Sequence, residues 1–129
     1  MALTKVLLAE DDTDIQTLVR ISLKMRGVED VQVAENGEEC LARLKDFTPE
    51  VILLDVMMPK LDGYDTCRKL KENPDTRAIP VIFLTAKTQH YEIERGLALG
   101  AVGYLTKPFD PMKLYDQVEA LVAWSKKTS

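Results

Sequence analysis

Four apolar runs in this sequence each stop at a residue able to do chemistry. Lys5-Val6-Leu7-Leu8-Ala9 ends at Glu10-Asp11-Asp12, Val51-Ile52-Leu53-Leu54 at Asp55, Val81-Ile82-Phe83-Leu84 at Thr85, and Val102-Gly103-Tyr104-Leu105 at Thr106-Lys107-Pro108. Gathered in one place, these residues would set carboxylates, a hydroxyl and an ammonium around a single opening. Carboxylates so close repel one another, and at least one pKa rises unless a cation sits among them. Hard oxygen donors in an incomplete shell suit Mg²⁺, which keeps several waters and takes one or two carboxylates plus a phosphate oxygen. An aspartate can also attack phosphorus to give an acyl phosphate. The phosphoryl group in transfer carries charge on its equatorial oxygens, and cations and hydroxyl donors stabilise it. Asp55, Thr85 and Lys107, with Mg²⁺, supply those parts.

The elements between these stops decide whether they meet. Ile15, Leu18, Val19 and Leu23 recur at helical spacing, with Thr13 and Gln16 as a capping box and Gly27 as the stop. Val31 to Ala34 alternates like an edge strand, and Asn36-Gly37-Glu38-Glu39 opens a helix with Leu41 and Leu44 inward. A third helix spans Gly63 to Lys71 and stops at Asn73-Pro74. A fourth, about Gln89 to Leu99, is weakened by its internal Gly96. The last has Asp110 as N-cap and Pro111 at its first position, with Leu114, Val118, Leu121 and Val122 inward. Five strands alternating with five helices predict an α/β fold, a doubly wound parallel sheet covered on both faces. Continuous apolar strands agree, because they are buried on both sides. Parallel strands deliver all the stops to one end of the sheet, where such folds bind ligands.

Composition narrows the classes. With 129 residues, 46% hydrophobic and 29% charged, the chain predicts one globular domain, 1–129, with its core at about 5–124. A net charge of −4 argues against direct nucleic-acid binding, which needs a basic surface. No apolar run approaches the roughly 20 residues of a membrane span. No signal-peptide pattern precedes the first strand, so a cytoplasmic location without membrane association is expected. Cys40 and Cys67 lack metal or disulfide spacing and read as core thiols; His90, the single histidine, excludes a multi-histidine metal site. Trp124 either half-buries or marks a partner-binding face.

Glu10-Asp11-Asp12, Asp55-Val56-Met57-Met58-Pro59 with Asp62-Gly63, Thr85-Ala86 and Lys107-Pro108-Phe109, in this order and at strand ends, resemble the response-regulator receiver domains of two-component signalling. The resemblance implies a flavodoxin-like sheet of order 2-1-3-4-5. It implies that Asp55 is the phosphoacceptor and that Asp11, Asp12, Asp55 and the Met57 backbone carbonyl hold Mg²⁺, with Mn²⁺ as an alternative. Lys107, Thr85 and the Ala86 backbone amide would bind the phosphoryl oxygens. Thr85 and Tyr104 would form the switch, and Pro108 would be a cis proline that aims the lysine. Met57 and Lys87 stand two residues after the acceptor and the hydroxyl, positions that in this family flank the path of the hydrolysing water. Here they are expected to slow dephosphorylation.

The implied function is a phosphorylation-activated regulator that takes its phosphoryl group from a histidine kinase or a histidine phosphotransfer protein. It would switch the face formed by the fourth helix, fifth strand and fifth helix to control an output protein. A relay passing phosphate onward is the alternative. No enzymatic activity beyond its own phosphorylation and dephosphorylation is expected. Many receivers of winged-helix transcription factors carry an acidic pair before the fifth-strand tyrosine; here Val102-Gly103 stand there, so a monomer or weak dimer is expected. A haloacid-dehalogenase-type phosphatase would need a second aspartate where Met57 stands. A flavin carrier would need a hydroxyl-rich loop where three acids stand.

Overall fold

The structure, a computed structural model, describes residues 2–86 and 90–128. Strands and helices alternate: β1 Lys5–Ala9, α1 Thr13–Met25, β2 Asp30–Ala34, α2 Gly37–Arg43, β3 Val51–Asp55, α3 Gly63–Glu72, β4 Val81–Ala86, α4 His90–Ala98, β5 Gly103–Lys107 and α5 Leu114–Thr128. The five strands form one parallel sheet in the order β2-β1-β3-β4-β5. The order reverses between β1 and β3, and the carboxyl ends of those two strands border the crevice where such sheets bind ligands.

Alternation along the strands sorts side chains into two cores. Val6, Leu8, Val51, Leu53, Ile82, Leu84 and Leu105 pack on one face with Val19 and Leu23 of α1 and Leu114, Val118 and Val122 of α5. Leu7, Ala9, Ile52, Leu54, Val81 and Phe83 pack on the other with Cys40 of α2 and Tyr64, Cys67 and Leu70 of α3. The inner strands β1, β3 and β4 are apolar through their middle positions because both of their faces are covered. Both cysteines are buried and free, and burial pushes their thiols up, Cys40 to about 12 and Cys67 to about 11. Among the described residues no helix is long and apolar enough to cross a membrane.

Two helix starts differ from expectation. Asp12, not Thr13, is the N-cap of α1: its carboxylate accepts from the Asp14 N–H at 2.9 Å and the Ile15 N–H at 3.3 Å. Aspartate is preferred over threonine at the N-cap, and its charge favours the helix N-terminus. α5 begins at Leu114; Asp110 and Pro111 instead build the turn before it, with Asp110 Oδ1 accepting from the Met112 N–H at 2.9 Å. Gly96 lies within α4 as a close-packing residue. A Cβ there would stand 2.7 Å from the Phe83 ring, so the absent side chain lets α4 rest on β4.

Gly63 plays the same part at the site. A Cβ on it would lie 2.3 Å from the Asp55 carbonyl oxygen and 2.8 Å from Val56 Cα, both backbone atoms with no freedom to yield. Gly63→Ala is expected to lower stability by about 3 kcal/mol, read from chemical denaturation, because it forces α3 off β3. Lys60, in the loop between them, has φ +67°. Lys60→Gly should raise stability by about 0.5–1 kcal/mol, since glycine takes that conformation without steric cost.

Candidate functional site

Asp55 is the last residue of β3, Lys107 the last of β5, Thr85 lies near the end of β4, and Glu10 and Asp11 follow β1 directly. Their common strand direction brings them around one cavity of about 290 Å³, lined by Glu10, Asp11, Asp55, Met57, Thr85 and Lys107. Asp55 is buried, at 4% exposure, and so is Thr85. Asp55 Oδ1 accepts from the Met57 N–H at 3.2 Å and lies 3.3 Å from Lys107 Nζ. The short turn after β3 therefore aims the carboxylate, while β5 delivers the cation.

The carboxylates that meet are Glu10, Asp11 and Asp55: one oxygen from each lies within 4.8 Å of the others. Asp12 borders the same cavity, but its carboxylate is turned to the α1 amides. The acidic pair beside Asp55 is thus Glu10 and Asp11, a correction to the expected Asp11 and Asp12. The sequence carried the signal in the short link between β1 and α1, whose last residue before the helix is the natural cap. Glu10 precedes that cap by two residues and receives the Asp12 N–H on Oε2 at 3.1 Å.

Glu10 is 1% exposed, and its Oε1 stands 2.8 Å from Lys107 Nζ. Burial raises the Glu10 pKa to about 7; the neighbouring Asp55 adds to the rise, and Lys107 opposes it. Burial also works against the charge on Lys107, yet the contacts with Glu10 and Asp55 outweigh it and hold that pKa above the ordinary lysine value. Among the described residues, Glu10 Oε1 has no aligned hydrogen-bond donor despite the nearby ammonium. A buried carboxylate oxygen beside two further carboxylates, with one ammonium among them, fits a place for an additional cation.

The other expected residues fall as follows. The Lys107–Pro108 peptide bond is cis, and Ala86 pairs with Lys107 across β4 and β5. Tyr104 is 39% exposed and, with Val56, Phe83, Thr85 and Leu97, lines a void of about 10 Å³, far too small for its ring. Met57 is 69% exposed and borders the acceptor cavity, whereas Met58 is buried. Lys87, expected beside the cavity, lies outside the described residues. Trp124 is exposed on α5. Sequence reading passed over Arg95, whose guanidinium stacks 4.3 Å above the Tyr64 ring, itself 5.2 Å from the Phe83 ring; this ties α4 to α3.

The sheet order, the helices on both faces and the acid–lysine opening define the class. Residues 6–119 match the response regulator receiver domain family, and the chain belongs to it. The chain is 38% identical over 122 residues to the alkaline phosphatase synthesis transcriptional regulatory protein PhoP of Bacillus subtilis, covering 95% of this chain and 50% of that protein. It is 41% identical over 118 residues to the DNA-binding dual master transcriptional regulator RpaA of Synechocystis, covering 92% and 48%. It spans about half the length of these curated relatives. Among solved structures it resembles the chemotaxis response regulator CheY4 of Vibrio cholerae, with TM-score 0.85, 30% identity and coverage of 92% and 98%. The fold is of the flavodoxin-like, chemotaxis-regulator type.

Proposed function

We propose that this domain is a phosphorylation-activated switch that accepts a phosphoryl group on Asp55 from a phosphohistidine, on a histidine kinase or a histidine phosphotransfer protein. The observation that carries this reading is the buried Asp55 carboxylate, opening onto a cavity that also holds Glu10, Asp11, Thr85 and Lys107. An Asp55 oxygen attacks phosphorus; the new P–O bond forms as the P–N bond breaks and the electron pair leaves with the imidazole nitrogen. Lys107, released from its contact with Asp55 Oδ1, and the Thr85 hydroxyl stabilise the equatorial oxygens. Glu10, Asp11, Asp55 and the Met57 carbonyl would hold Mg²⁺, which would supply positive charge beside the acceptor and the incoming group.

The phosphoryl group brings the acceptor's charge near −2 and adds acceptor oxygens. Thr85 and Lys107 gain contacts that exist only in that state, and such a difference shifts a two-state equilibrium. Tyr104 must then find room inward, which the small void beneath it denies unless Leu97 and α4 move. The α4-β5-α5 face is thus the output surface, acting on an output domain or a separate protein in the cytoplasm, with no direct DNA contact by this domain. Val102-Gly103 in place of an acidic pair favours a monomer or weak dimer. Onward transfer to a phosphotransfer protein uses the same chemistry in reverse.

The test is incubation with acetyl phosphate or phosphoramidate and Mg²⁺, followed by intact mass. One phosphoryl group is expected on the wild type, none on Asp55→Asn and none in EDTA; a gain in Asp55→Asn equal to wild type would falsify the assignment. A second expected result concerns the lifetime of that group. Lys87→Ala should shorten it about two- to threefold, the scale of one side-chain charge, when loss of the phosphorylated mass is followed after donor removal.

A further inference from the structure

The opposite end of the sheet holds a second polar cavity, of about 300 Å³, at the start of β4 and β5. Lys71 of α3, Arg77 of the α3–β4 loop and Lys126 of α5 border it with Pro80, Val102 and Ser125, and no carboxylate is among its lining residues. A protein of net charge −4 thus collects three cations around one opening. It lies one strand length, about 17 Å, from the acceptor cavity.

Lys71 sets this cavity apart from ordinary surface charge. Its stem runs against Gly100, where an added Cβ would meet Cγ, Cδ and Cε at 3.3–3.5 Å. Its Nζ donates to the Arg77 carbonyl at 3.0 Å and the Ile79 carbonyl at 2.9 Å, which fixes the ammonium in place with a third donor remaining. Among the described residues this half-buried ammonium is in no ion pair. Burial pulls its pKa below the ordinary lysine value, as follows for a cation lacking a counter-charge. Lys126 also exerts its field on Glu50, a carboxylate outside the cavity lining whose Oε1 accepts from the Thr4 and Lys5 N–H groups.

We propose that this cavity is a binding site for a small organic phosphate monoester. The guanidinium of Arg77 offers the planar fork that suits phosphate oxygens, and the ammoniums of Lys71 and Lys126 supply point charge. Pro80 and Val102 give an apolar wall for the organic part, and the volume is at the lower end of small-ligand sites. A bound dianion would complete the charge balance of Lys71, which the fold leaves open.

The experiment is an NMR titration of the amide resonances in EDTA, without Mg²⁺ and at constant ionic strength, with adenosine monophosphate, inorganic phosphate and adenosine as probes. Gly100, Val102 and Ser125 are expected to shift saturably with adenosine monophosphate, more weakly with phosphate and not with adenosine. The exposed double variant Arg77→Ala/Lys126→Ala should weaken the binding about tenfold, the loss of two charge-assisted contacts, while Asp55→Asn binds as wild type does. Shifts reproduced by sodium chloride or by adenosine, equal binding by the double variant, or binding of an acidic peptide but not of the nucleotide each overturn the proposal.

Discussion

Lys107→Ala is expected to lose about 3 kcal/mol of stability at pH 8 in EDTA, and to recover part of it near pH 5. Lys107 Nζ stands 2.8 Å from Glu10 Oε1 and 3.3 Å from Asp55 Oδ1, and both carboxylates are almost wholly buried. Removing the ammonium leaves two buried negative charges with no cation beside them, the costly way to break a buried pair. Acid relieves the strain because Glu10 already holds its proton up to about pH 7 and does so more firmly without Lys107. Urea unfolding followed by circular dichroism at the two pH values measures the difference. An equal deficit at both would mean that Lys107 acts through packing of its stem. Added Mg²⁺ should restore part of the loss at pH 8, since it supplies the missing positive charge.

The wild-type protein in EDTA should itself lose stability as pH rises from about 4.5 to above 7. Glu10 has its folded pKa raised from 4.5 to about 7, so across that interval the folded state holds a proton the unfolded chain has released. Stability falls with pH wherever the native state binds more protons. The total from this group is on the order of 3 kcal/mol, reached once pH exceeds the folded value. Glu10→Gln removes the titrating group while keeping its shape, so its stability curve should be flatter through the same window and lie above wild type at pH 8. Saturating Mg²⁺ should flatten the wild-type curve as well and leave the Glu10→Gln curve less affected, because a ligand of the cation is gone. Thermal midpoints across pH, with and without Mg²⁺, check both. A wild-type curve that rises through this window would show that Glu10 ionises easily in the folded protein.

Much of this architecture could be read from the chain alone. The apolar runs at Val51-Ile52-Leu53-Leu54 and Val81-Ile82-Phe83-Leu84 require strands covered on both sides, and each run ends at a polar residue at the carboxyl end of its strand, Asp55 and Thr85. That placed Asp55, Thr85 and Lys107 at one end of the sheet, and the structure has them around one cavity. Gly96 looked like a weakness in α4, yet its meaning depends on Phe83, thirteen positions earlier, whose ring fills the space a side chain would need. No local pattern reports such a contact.

Glu10, Asp11 and Asp12 show the division most clearly. Three consecutive acids after β1 announce a site, and composition and spacing were enough to say so. Which two of them face Asp55 was settled by competition within the folded chain. The free amides at the start of α1 draw in Asp12, while the long side chain of Lys107 reaches from β5, past β4 and β3, to Glu10 and supplies a cation beside that buried carboxylate. Likewise Arg95 is one charge among many along α4 until helix packing lays it over Tyr64. Residue types and their period determined the strands, the direction they run and the chemistry at their ends, because these depend on neighbours in sequence. Partner choice among equal charges belongs to the tertiary structure alone, because it depends on which buried groups arrive from distant strands.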